Sequence, residues 1–318
     1  MNVLFLVQLE QRVILDRLYQ AVASHCNCDL RWLSREEQAD LRRYFREQVD
    51  VTRYDRIVFF LRFKQEIRQV GFIRSIPNLV ILEHDACQNY IPGKYQGRFS
   101  EYYRRLPWAR VINSGYVLSE RLSQEGVDSV FVPKGYDQAV LRNLGRERDI
   151  ELGFVGSLKS GVYSERRALL ESLAQAENLS MLSAAPGDAY CELLNRIRFF
   201  VSADVGLGEY MIKNFEAMAC GCILLAYDQG EAENRALGFV DMENIVLYRS
   251  VDELRQKVQL LRNDSSLAEG IAANGQRLVE REYSFARVGQ RIAEALKAPL
   301  RARPSLPWRQ RLYALLGG

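Results

Sequence analysis

Lys213 and Glu216 stand three residues apart in the stretch from Val205 to Ala226, which runs glycine loop, helix, glycine stop, buried strand. Gly206 and Gly208 free the backbone for a tight turn and a close approach to a ligand. Met211, Phe215 and Met218 recur at i, i+4 and i+7, one apolar helix face. Gly221 is placed to end that helix in a left-handed cap, and Cys222–Ala226 reads as a strand buried on both faces. Lys213 and Glu216 are neighbours in the early turns, where free amides and the helix dipole favour an anion. A phosphate would sit there on backbone N–H groups with Lys213 as a point charge, and Glu216 would accept from sugar hydroxyls. Spacing alone equally admits an exposed ion pair contributing only ~0.3–0.5 kcal/mol.

A second constellation follows the apolar run Leu79–Leu82. Glu83, His84 and Asp85 fall at a predicted strand end, and His84 is one of only two histidines in the chain. Ligands of parallel sheets sit beyond the carboxyl ends of the strands. There His84 or Asp85 could exchange a proton with an acceptor hydroxyl, or His84 could simply fill a loop. The segment Tyr90–Phe99, aromatic, basic and glycine-bearing, reads either as an acceptor loop or as ordinary surface. A third feature is Ile150–Val155 running into Gly156 and Ser157, then a helix bearing Arg166 and Arg167. Strand followed by glycine turn is common to many nucleotide folds. Beside Lys213 and Glu216 it gives two phosphate-ready sites on one sheet edge.

These residues need a scaffold that presents strand ends. Strands are expected at Val3–Val7, Ile57–Leu61, Leu79–Leu82, Val111–Ile112, Val130–Val132, Leu179–Leu182, Phe199–Ser202 and Asn244–Tyr248. Charged amphipathic segments such as Arg35–Gln48 and Ser119–Gln124 lie between them. Alternation of this kind indicates βαβ units on parallel sheets, an α/β fold. Ser250–Glu253 and Ser266–Glu269 read as capping boxes that open helices. At 318 residues the chain suggests about two domains. The net charge of +3 gives no argument for nucleic acid. Six cysteines without zinc-site spacing are expected as free thiols. The N-terminus opens on a strand-like run without a basic leader, and no apolar run is long enough to span a bilayer, so a cytoplasmic location is expected. Beyond Lys297 come Arg301, Arg303, Arg309 and Arg311 with Trp308, Leu312, Tyr313, Leu315 and Leu316 and no acidic residue. That tail could contact an anionic membrane face or dock on the protein's own first domain.

The run Lys213-Asn214-Phe215-Glu216-Ala217-Met218-Ala219-Cys220-Gly221-Cys222-Ile223-Leu224-Leu225 resembles the nucleotide-binding signature of GT-B glycosyltransferases, of group 1 (family 4) and CgeB-like type. The resemblance implies two Rossmann-like domains with parallel sheets facing a cleft: 1–148 on the acceptor side, 149–285 for the nucleotide sugar, and 286–318 as crossover helix and basic tail. It implies that Glu216 binds the donor ribose and Lys213 the diphosphate, with Gly156, Ser157 and Arg166 supporting the diphosphate. Gly208, Glu209, Asn214, Phe215 and Glu231 complete the implied donor site, and His84 and Asp85 the catalytic side. Two positions depart from the pattern. Many relatives carry a second Glu eight residues before the first, where this chain has Gly208 with Glu209 beside it. Lys134, in Val132-Pro133-Lys134-Gly135, replaces a usual Asn. No Asp-x-Asp occurs, so no metal and no cofactor are expected beyond the nucleotide-sugar donor. The implied partners are that donor and a saccharide or lipid-linked acceptor, in bacterial surface-polysaccharide or glycolipid synthesis with retention of configuration. A noncatalytic nucleotide-sugar binder and a sugar-nucleotide epimerase are the alternatives.

Overall fold

Short apolar runs, too short for buried helices, pair into two parallel sheets. The computed structural model describes residues 1–11, 14–156 and 164–303. Ser157 and the tail beyond 303, with Trp308, Arg309 and Arg311, therefore lie outside the described residues. Among the described residues the first sheet holds β1 (Asn2–Gln8), β2 (Asn27–Leu33), β3 (Arg56–Phe60), β4 (Leu79–Glu83), β5 (Arg110–Asn113) and β6 (Asp128–Phe131). Their order is β2-β1-β3-β4-β5-β6. The second holds β7 (Ile150–Val155), β8 (Leu179–Leu182), β9 (Ile197–Ser202), β10 (Ile223–Tyr227) and β11 (Val246–Tyr248), ordered β11-β10-β9-β7-β8. Every neighbouring pair is parallel.

Helices cover both faces, which is why the strands lack a polar side. In β1, Leu4 and Leu6 face a core with Phe45, Phe59 and Tyr103. Val3, Phe5 and Val7 face the opposite core with Tyr19, Val22, Val288 and Ile292. The last helix, Phe285–Lys297, thus closes on the first sheet, against the helix Asp16–Ala23. Gly289 makes this approach possible, since a Cβ there would stand 2.6 Å from that of Ala21. Arg110 then donates to the carbonyls of Ala295, Ala298 and Pro299, and Arg56 to that of Leu296. These cationic forks satisfy the orphan carbonyls of the helix end.

Local chemistry corrects three expectations. β2 is unanticipated because Cys28-Asp29-Leu30-Arg31-Trp32 alternates charge with apolar residues at a sheet edge, where Asp29 pairs with Arg31 at 2.5 Å and accepts from Tyr54 Oη. The segment Arg35–Gln48 is two helices, Arg35–Ala39 and Leu41–Gln48, because Asp40 turns its carboxylate onto the amide of Arg43 and caps a new start. The helix Ser265–Glu282 is capped by Asp264, which accepts from Leu267 N–H, rather than by Ser266. All six cysteines are free thiols. Among the described residues no helix is long and apolar enough to cross a membrane.

One buried charge has a measurable consequence. Glu66 is 3% exposed and accepts from Tyr102 Oη at 2.9 Å. Burial pushes its carboxyl up to about 7, against the lowering effect of Tyr102 and the Leu61 amide. A carboxyl whose folded pKa is raised binds its proton more tightly in the native state, so stability falls as pH rises from the ordinary carboxylate range through about 7. Glutamine mimics the protonated acid. Glu66→Gln is therefore expected to match the parent at pH ~5 and to exceed it by up to ~3 kcal/mol at pH ~8, as read by urea unfolding at both pH values. A variant no more stable than the parent at the higher pH would show that Glu66 ionises without cost.

Candidate functional site

The carboxyl edge of the second sheet brings Gly156, Arg166, Lys213 and Glu216 together. β7 ends at Val155, whose carbonyl accepts from Lys213 Nζ at 2.7 Å. A Cβ on Gly156 would lie 2.7 Å from the Phe154 ring and 3.3 Å from Lys213 Nζ, so the bare backbone is needed there. Lys213 rides on the helix Ile212–Ala219, whose far end turns through Gly221 at φ +76° into β10. Asp204, just past β9, fixes the start of that helix by accepting from Met211 N–H at 3.1 Å and Asn214 Nδ2 at 2.8 Å. Its other oxygen accepts from Arg166 Nη2 at 2.7 Å, and Arg166 Nε donates to Ala203 O. The helix start thus carries a carboxylate neutralised by a guanidinium, with Lys213 beside it.

Lys213 and Glu216 are both half-buried, one turn apart. Tyr190 Oη donates to Glu216 Oε2 at 2.8 Å and orients it. Burial raises the Glu216 carboxyl, and Tyr190 and Lys213 pull it back only in part. Burial lowers the Lys213 ammonium, with Glu216 opposing and Arg166 reinforcing. Both groups stand partly stripped of water, where a charged or hydroxylated ligand gains most.

Other expected members of this site do something else. Asn214 is fully buried and serves Asp204 and the Met211 carbonyl. Phe215, expected at the donor, is 1% exposed and packs between Phe239 and Tyr283, because it lies on the core stripe with Met218. Glu231 is 90% exposed at its side chain, 3.9 Å from Arg235. Glu233, two residues on, is the buried carboxylate of that helix.

Across the cleft the first sheet presents the tips of β4 and β5. Gly206 and Gly208 adopt φ +70° and +71°, and Gly208 N–H donates to Gln229 Oε1. This turn delivers Glu209 into the first domain. Glu209 is 0% exposed, and its Oε2 accepts from Ser114 Oγ at 2.7 Å and pairs with Lys134 Nζ. Gly115 permits the contact, since a Cβ there would meet that of Glu209 at 2.8 Å. Burial pulls the Lys134 ammonium down, but Glu209, Cys87 and Asp85 more than offset it and hold it charged. Glu233 Oε2 accepts from Val117 N–H at 2.8 Å, at the start of the helix Tyr116–Gln124. Burial pushes Glu233 up to about 7, opposed by the Val117 and Tyr116 amides.

His84 lies edge-on to Phe60, ring centroids 5.0 Å apart. Burial, helped by Lys134, pushes its pKa down to about 3. The lowered pKa favours the neutral ring. Asp85 is exposed at the same tip, and its N–H donates to Glu83 Oε1 at 2.7 Å. Tyr190, Asp204, Lys134 and Glu233 were not expected in these roles. Asp204 was findable from its place beyond a strand end, and Lys134 from its departure in the turn.

Two parallel α/β sheets whose carboxyl edges meet at a cleft define a GT-B glycosyltransferase architecture. Residues 137–294, just under half of the chain, match the family model described as "Glycosyl transferase-like", a likeness that sets this span among glycosyltransferase enzymes. No curated protein sequence matches the chain significantly. Among solved structures the chain is similar to Anabaena HepE in complex with UDP-glucose, with TM-score 0.68 and 14% identity, over 93% of this chain and 99% of that one. It is similar to the sucrose-phosphate synthase of Thermosynechococcus elongatus, with TM-score 0.65 and 12% identity over 92% and 98%. It is also similar to phage T4 BGT in complex with UDP and Mn2+, with TM-score 0.58 and 11% identity over 94% and 100%.

Proposed function

We propose that this protein moves a glycosyl group from a nucleotide-diphosphate sugar to a hydroxyl acceptor, with retention, in the synthesis of a bacterial surface polysaccharide or glycolipid. The observation that carries the reading is the half-buried pair of Lys213 and Glu216, one turn apart at the edge of the second sheet, with Gly156 and Arg166 beside them. Lys213 contacts the diphosphate, and Arg166, docked on Asp204, adds its field. Charge that develops on the departing diphosphate is then met by cations already in place. Glu216, aimed by Tyr190, accepts from the ribose hydroxyls. Residues 149–285 bind the donor and 1–148 face the acceptor; at the start of the basic tail Arg301 and Arg303 donate to the Gly126 and Arg74 carbonyls of the first domain, and contact with the inner membrane face near a lipid-linked acceptor falls to the residues that follow. UDP heads the candidate donors because similar structures are complexes with UDP and UDP-glucose.

The cations at the site take over the role of a metal, and the donor binds without one. The test is a thermal-shift screen of uridine, guanosine, cytidine and thymidine diphosphates and their sugar conjugates, with and without EDTA. One nucleotide class is expected to raise the melting temperature with concentration, equally in both conditions. No response to any of them, or a response abolished by EDTA, would count against the donor or the metal-free reading respectively.

A further inference from the structure

At the amino edge of the first sheet two guanidinium groups are held together without a counter-charge among the described residues. Arg74 closes the helix Val70–Ile73 and precedes β4, and Trp108 stands just before β5. The chain returns to this edge after its last helix. Arg301 donates to the carbonyls of Gly126 and Val127, and Arg303 to that of Arg74. The Arg303 guanidinium lies over the Trp108 ring, 5.1 Å from its centroid. Arg74 and Arg303 are both half-exposed, and among the described residues no carboxylate pairs with either. The residues outside the described ones contain no Asp or Glu, and 304–318 add only the cations Arg309 and Arg311. Three N–H donors here have no partner: Arg74 Nε, Arg303 Nε and Trp108 Nε1. Burial, reinforced by the charge of Arg74, pulls the Arg303 guanidinium down from its ordinary value. Like charges disfavour each other's charged forms, and an anion between them removes that repulsion.

We propose that Arg74, Trp108 and Arg303 form a binding site for a phosphate group, separate from the cleft. The cleft lies at the carboxyl ends of the strands, and the length of β4 and β5 puts roughly 15 Å between the two edges. A guanidinium presents a planar fork of donors that matches phosphate oxygens. A carboxylate fills one such fork, whereas a phosphate has oxygens enough for two forks and the indole N–H. Because both arginines are half-exposed, the anion reaches them from solvent and needs no enclosed cavity. Trp108, 3% exposed, is the fixed wall on which Arg303 rests. Arg303 belongs to the basic tail, so a phosphate held here also fastens the root of that tail to the first domain. A soluble phosphate ester and a lipid headgroup offer the same group. The site stands whatever donor or acceptor the cleft takes.

Arg74→Gln, Arg303→Gln and Trp108→Phe test this. Each leaves the Arg74 carbonyl in place, and Trp108→Phe keeps a ring beneath Arg303 while removing the indole N–H. Glycerol 3-phosphate is titrated by calorimetry at fixed ionic strength, and phosphatidylcholine vesicles with and without phosphatidic acid are used in sedimentation. The parent is expected to bind in at least one arm, and each substitution to weaken that binding about tenfold or more. Any affinity for UDP at the cleft stays within about twofold. Arg46→Gln, which removes a cation 66% exposed on another helix, is the control for net charge and should alter neither arm. Thermal unfolding in the absence of ligand confirms that the variants fold. Dependence on the three residues in calorimetry assigns a soluble phosphate, and dependence confined to phosphatidic acid vesicles assigns a lipid headgroup. No binding in either arm overturns the site. So does binding that survives all three substitutions, or that falls equally with Arg46→Gln.

Discussion

Lys213→Ala is expected to raise the dissociation constant for the nucleoside diphosphate about 10–100-fold, the equivalent of losing one charge-assisted hydrogen bond worth ~1.5–3 kcal/mol. The fold should tolerate the change. Lys213 donates to the Val155 carbonyl but sits half-buried with its ammonium destabilised by burial, so its removal also relieves a desolvation cost. Glu216→Ala is expected to weaken binding by a similar factor through the other end of the ligand, since its carboxylate, oriented by Tyr190, is the acceptor for the ribose. The two variants should separate by ligand: Lys213→Ala loses discrimination between nucleoside and nucleoside diphosphate, and Glu216→Ala loses discrimination between ribose and deoxyribose forms. Thermal shift and calorimetry read both effects. Full nucleotide response in both variants would move the site elsewhere.

The second large effect concerns stability. Lys134→Met is expected to cost the fold ~3–5 kcal/mol, because it leaves Glu209 buried without its cation. Neither group has solvent to fall back on, Glu209 being 0% and Lys134 5% exposed. Adding Glu209→Gln should restore most of the loss, since the amide still accepts from Ser114 Oγ and carries no charge. Urea unfolding of the parent, both single variants and the double variant gives the coupling. A loss under ~1 kcal/mol in Lys134→Met, the size of an exposed pair, would mean that water reaches the interface and that the two sheets stand apart in solution.

The sheets were legible in the sequence because their strands are buried on both faces. Leu79–Leu82, Phe199–Ser202 and Cys222–Ala226 read as unbroken apolar runs, and helix signals separate them. β2 was not legible, since an edge strand can carry Asp29 and Arg31 where a central one cannot. At the site, the stretch around Lys213 and Glu216 was readable because loop, helix, glycine stop and strand follow one another without a break. Phe215 shows the limit of such a motif: a residue can belong to a signature because it packs, with no contact to a ligand. What the sequence concealed lies between the domains. Lys134 and Glu209 are 75 residues apart, and Val117 and Glu233 are 116 apart. No local periodicity reports contacts at that separation, and only the closing of one sheet edge against the other reveals them. His84 was found by position, but its burial beside Phe60 and Lys134, which decides its protonation, depends on the assembled cleft.

The most direct measurement is a crystal structure of the protein grown with UDP, or with whichever nucleoside diphosphate gives the largest thermal shift. The account predicts a phosphate oxygen within hydrogen-bond distance of Lys213 Nζ and above Gly156, and a ribose hydroxyl on Glu216. A nucleotide bound away from the carboxyl edge of the second sheet, with Lys213 still on the Val155 carbonyl and Glu216 touching only Tyr190, would contradict it.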